Sequence, residues 1–81
     1  MNILYVYEGS QNPELEKAIC QDVAAHHGPA RQLGSHSAED GLTTVTLAFD
    51  EPAGEAEDIA QTLRSYRRIV DAARCSFGEG A

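Results

Sequence analysis

Basic side chains are scarce in this sequence. Six lysines and arginines stand against thirteen acids, for a net charge of −7. A surface of that sign repels phosphate backbones and disfavours general nucleic-acid binding. Cysteine is scarcer still. Cys20 and Cys75 fall in different expected helices, with no CxxC pair and no cysteine–histidine spacing. They read as free thiols, because nothing in the chain implies an oxidising compartment. Long apolar runs are also missing: the longest, Ile3 to Tyr7, is far too short to span a bilayer. The N-terminus lacks a basic region followed by an apolar stretch and a cleavage site, so the expected location is the cytoplasm. No repeat, linker or low-complexity segment is visible, and residues 1–81 leave room for one domain. A chain this short buries only about 60–65% of the surface its unfolded form exposes, so association would help it.

What is present is ordinary for a globular protein: 42% hydrophobic and 23% charged residues. The charge is unevenly placed. Residues 1–58 hold eleven acids against Lys17 and Arg31, a balance of −9, while residues 59–81 hold four arginines against Asp71 and Glu79, a balance of +2. An acidic exterior of this kind suits a protein partner better than a phosphate one.

Ile3 to Tyr7 is β-rich and reads as a first strand, with Leu4 and Val6 on one face and Ile3, Tyr5 and Tyr7 on the other. Asn12-Pro13-Glu14 then opens a helix: a cap, a proline at the first helical position, and an acid at the positive end of the dipole. Leu15, Ile19 and Val23 form its buried stripe, and Gly28-Pro29 stops it, giving a helix over Pro13–His27. Asp40-Gly41 is a hairpin-turn pair before an evident strand, Leu42 to Asp50. Its partner must come from Arg31 to Ser37, which predicts a short, irregular edge strand. Ala56, Ile59, Leu63, Tyr66, Val70, Ala73 and Phe77 recur at gaps of three and four, and predict one long helix over Ala56–Phe77.

The expected fold is therefore α+β in the order β-α-β-β-α: a three-stranded antiparallel sheet with two helices on one face. It resembles the ferredoxin-like arrangement lacking its last strand, a likeness of topology without any family motif. The missing strand would leave Ile3 to Tyr7 as a free, apolar edge that a second copy or a partner strand could cover.

Candidate contacts follow from this layout. Tyr5 and Tyr7 are expected on the sheet face away from the helices, beside Thr44 and Thr46. Arg64, Arg67, Arg68 and Arg74 form a basic flank on the long helix, whose end, with Arg74 and Phe77, is expected to overhang the domain. Ion pairs along the helix and to the acidic first helix are the simpler reading of that flank. Base stacking on the tyrosines is disfavoured because Glu8, not a basic residue, adjoins them. Asp22 and His26 share a helical face, yet no further ligand completes a metal or catalytic site. Gly9-Ser10-Gln11-Asn12 lacks the glycines and lysine of a phosphate loop, and Ser35-His36-Ser37 matches no nucleophile arrangement. No cofactor, metal or catalytic residue is expected. The sequence points to a non-enzymatic interaction module, self-associating as a homodimer or binding a protein partner, with no nucleic acid and no membrane. A small acidic inhibitor or nucleic-acid-mimicking decoy, presenting Glu14, Glu16 and Asp22, is the alternative.

Overall fold

A computed structural model describes residues 1–75 of the chain. The elements run β1 (Asn2–Glu8), α1 (Pro13–His27), β2 (Ala30–Ser37), β3 (Leu42–Phe49), α2 (Ala56–Arg64) and β4 (Ile69–Cys75). The four strands form one sheet in the order β2-β3-β1-β4, antiparallel throughout. The ferredoxin-like order is thus complete, and the expected three-stranded sheet is corrected by a fourth strand.

That fourth strand comes from the segment expected to continue the second helix. The helix ends after nine residues at Arg64. A tight turn closes it: Ser65 N–H reaches the Gln61 and Thr62 carbonyls, and Tyr66 N–H the Leu63 carbonyl at 3.2 Å. β4 then starts at Ile69, and its register against β1 shifts between Val6 and Tyr7, so Tyr7 pairs with Ile69 but Val6 with Asp71. This bulge places Val70 outside the ladder and makes the buried residues Ile69 and Ala72 three apart. Three is a helical interval. Val70 and Ala73, the stripe positions that predict a helix here, are instead exposed on β4.

A second correction concerns β1. It lies between β3 and β4 and has no free edge. The expectation that an unpaired first strand recruits a partner therefore fails, and so does the overhanging helix end. Phe77 lies outside the described residues.

Other elements form as their residues dictate. Asn12 Oδ1 accepts from Leu15 N–H at 3.2 Å and caps α1, with Pro13 at the first helical position. Gly28 stops the helix at φ +99°, where a Cβ would lie 2.8 Å from the Glu51 carbonyl oxygen. The β2–β3 turn uses Gly41 at φ +85° and the Asp40 carboxylate, which accepts from Leu42 N–H at 3.0 Å.

The core lies between the sheet and the two helices. Ile3, Tyr5, Tyr7, Val45, Leu47 and Phe49 point into it from the central strands, and Ile19, Val23, Ile59 and Leu63 meet them from the helices. A one-residue slip of β1 would replace three large inward side chains with Leu4 and Val6. Each large apolar side chain gains about 1.5–3 kcal/mol by leaving water, so the observed register wins.

Candidate functional site

The helices cover one face of the sheet, and no described element covers the other. Leu4 and Val6 of β1 sit at its centre, half-buried, next to Thr44 and Thr46 of β3. Ala73 of β4 lies opposite Leu4, and Leu42 closes the end of β3. Among the described residues, charges on this face lie at the rim: Asp71 on β4 opposite Val6, Arg31 on β2 opposite Ala48, and Glu8 at the end of β1. An apolar and threonine centre within a charged rim has the anatomy of a protein–protein contact.

The sheet edges are blunted by the chain's own side chains. On β4 the Ala72 N–H donates to Asp71 Oδ1 at 2.8 Å, and the Ala72 carbonyl accepts from Arg64 Nε at 3.0 Å and Nη2 at 2.8 Å. The same guanidinium pairs with Glu57 at 3.0 Å and holds that carboxyl below the usual glutamate range. On β2 the ladder is irregular between Gln32 and Gly34, and Gln11 Nε2 donates to the Ser35 carbonyl at 2.7 Å. A strand added at either edge would have to displace these groups.

Beneath α1 lies the principal buried polar cluster among the described residues. Glu16, only 4% exposed, accepts hydrogen bonds from the Tyr7 hydroxyl, from Gln32 Nε2 at 2.9 Å and from Ser35 Oγ at 2.8 Å. The Tyr7 oxygen in turn accepts from the Asn12 backbone N–H at 2.8 Å. Burial alone would raise the Glu16 pKa. The donors, Tyr7 first, outweigh that and hold it below the ordinary carboxylate range. Burial, with the Glu16 carboxylate beside it, pushes the Tyr7 phenol up. The cluster ties β1, α1 and β2 together, and the carboxylate that holds it is ionised.

Tyr5 and Tyr7 were expected on the open face, and here the structure reverses the reading. Both are fully buried on the helix side, with rings 6.3 Å apart. Apart from Asn2 and Glu8 at the ends of β1, the outward faces of β1 and β3 carry aliphatic and threonine side chains, so no aromatic platform for bases exists on them. The four arginines do not share a flank. Arg64 clamps β4, Arg67 and Arg68 sit in the turn after α2, and Arg74 is opposite Ile3 on β4, near Met1 and Glu57.

Comparison with protein-family models, with curated proteins and with solved structures gave no match. The remaining candidate groups are engaged inside the fold. Asp22 accepts from the Tyr66 hydroxyl, His26 Nδ1 lies 2.8 Å from the Asp22 carbonyl, and His27 Nε2 lies 2.8 Å from Thr62 Oγ1. No group of three potential metal ligands occurs among the described residues. Cys20 is a free thiol whose pKa burial raises, which reduces its nucleophilicity at neutral pH. No described helix is long and apolar enough to cross a membrane.

Sequence reasoning missed Glu16 as a structural centre and Leu4 and Val6 as the outward pair. Glu16 looked like one acid of a helix opening. The signal that could have found it is its position one turn before Cys20 on the stripe side, between Leu15 and Ile19. Two of the three carboxylates an acidic decoy would present, Glu16 and Asp22, are bonded to the protein's own tyrosines.

Proposed function

We propose that this protein is a non-enzymatic interaction module that forms a homodimer through the open face of its sheet. The observation that carries this reading is the face itself: Leu4, Val6, Thr44, Thr46 and Ala73 form an uncharged centre on a chain of net charge −7. Two such chains repel over most of their surfaces, and an uncharged patch is where they can meet. Four strands of about seven residues make a face of about 19 Å by about 23 Å. Two copies packed on it would bury on the order of 1,000 Å², the lower end of specific interfaces. The dimer therefore dissociates on dilution. A cytoplasmic setting belongs to the same reading and is supported by the free Cys20 thiol.

Size-exclusion chromatography with light scattering tests it. The expected result is a dimer at high micromolar concentration and a monomer for Val6→Glu, with unchanged far-UV circular dichroism because Val6 is only half-buried. A wild-type monomer at that concentration overturns the proposal.

A further inference from the structure

At the end of the sheet where β1 leaves and β4 begins, a groove of about 560 Å³ is lined by Glu8, Gly9, Arg67, Arg68, Ile69 and Val70. We infer that this groove is a second docking site, distinct from the open face, and that it takes a short acidic peptide segment of a partner protein. Charge complementarity selects that occupant. Arg31 and Arg64 are paired with Asp50, Glu57 and Asp71. Arg67, by contrast, makes no hydrogen bond or ion pair with any described residue. Arg68 is held in place: its Nη2 donates to the Glu8 carbonyl at 3.3 Å, and a Cβ on Gly9 would lie 3.5 Å from that nitrogen. The other donors of its guanidinium make no bond to the described residues. Two arginines lining one groove, one of them anchored, suit carboxylates better than a lysine pair would, because each guanidinium offers a planar fork.

The second element is apolar. Val70 is 52% exposed, the most exposed large hydrophobic residue described, and it stands on the β4 bulge beside the arginines. Bulges re-aim side chains in this way next to functional surfaces. An acidic side chain over Arg67 or Arg68 and an apolar one over Val70 would use both halves of the groove. Glu8, whose carboxylate pairs with neither arginine, shares the rim and works against polyanions. Together with the net charge it favours a peptide over nucleic acid.

The test is fluorescence anisotropy with three labelled probes: a ten-residue peptide alternating glutamate and leucine, its glutamine counterpart, and a ten-nucleotide oligothymidine. The full chain should bind the glutamate peptide, less so as salt rises, and neither of the others. Arg67→Glu with Arg68→Glu should weaken binding by at least about tenfold, since two attractions of exposed ion-pair size become repulsions. Arg31→Glu, a single reversal elsewhere with half that charge change, should leave it within about twofold. Val70→Ala should weaken it severalfold. No binding at millimolar peptide, an equal loss in Arg31→Glu, or tighter binding of oligothymidine would overturn the inference. So would a change in oligomeric mass on reversing the two arginines, which would make the occupant a second copy. Val6→Glu keeps the tests separate: it should abolish the dimer and leave peptide binding intact.

Discussion

Arg64 holds the Ala72 carbonyl with two nitrogens, Nε at 3.0 Å and Nη2 at 2.8 Å, reaching from the last turn of α2 onto the fourth strand. The contact occupies an acceptor that a neighbouring strand would otherwise use. It also joins the two elements that the sequence pattern merges into one helix.

Replacing Arg64 with Ala uncovers that acceptor and leaves Glu57 and Asp71 without their cation. The expected outcome is a small loss of thermal stability and a concentration-dependent rise in light scattering on warming. Arg64→Lys keeps the charge but not the fork, and should scatter at an intermediate level.

Glu16 makes stability depend on pH. Its folded pKa lies below the unfolded value, so its contribution is complete above the ordinary glutamate range, about 4.3, and is lost as pH falls through the lower folded value. Urea titrations should show stability falling through that acidic window in the wild type and falling less steeply in Glu16→Gln. Tyr7→Phe removes one donor and should cost about 1–3 kcal/mol at neutral pH.

Tyr5 offers the opposite sign. Its hydroxyl is buried and has no hydrogen-bond partner among the described residues, and burial pushes its pKa upward. Tyr5→Phe keeps the ring packing and removes an unsatisfied group. Denaturation should show a gain on the order of 1 kcal/mol, with unchanged secondary structure.

Gly28 cannot carry a side chain without movement. At φ +99° and with the Glu51 carbonyl 2.8 Å from a would-be Cβ, Gly28→Ala should lower stability by about 1–3 kcal/mol. The Ala53 N–H donates to the His27 carbonyl at 2.8 Å beside it, so amide exchange at Ala53 should speed up in the same variant.

The proposed dimer has a salt response that separates it from an ion-paired one. Its centre is uncharged while each copy carries −7, so screening should relieve repulsion and tighten association. Sedimentation at low and high ionic strength should show the dimer fraction rising with salt. A fall would mean that charges hold the interface.

Much of the fold was legible in the residues. Asn12-Pro13, Gly28 and Asp40-Gly41 mark their boundaries by local chemistry, and α1 begins and ends where they put it. Even the irregular β2 edge strand is present, from Ala30 to Ser37. β4 was hidden for a local reason. The turn at Ser65–Arg68 has no glycine or proline, its arginines are good helix formers, and Val70 and Ala73, both exposed on β4, continue the three-and-four spacing of α2. The β-branched pair Ile69-Val70 was the contrary signal. Once β4 was missed, β1 looked like an edge. The facing of Tyr5 and Tyr7 was a different kind of miss: both faces of β1 are apolar, and the inward one is set by its three large side chains and by the Tyr7 hydroxyl bonded to Glu16.

A helix fastened to a sheet by oil alone can roll about its axis or creep along it at little cost. In this molecule α1 has one permitted azimuth, because any rotation would strand an ionised glutamate in a greasy interior with its donors out of reach. Glu16 therefore acts as a key as much as a weld, giving a small core a unique solution that its apolar surfaces do not specify.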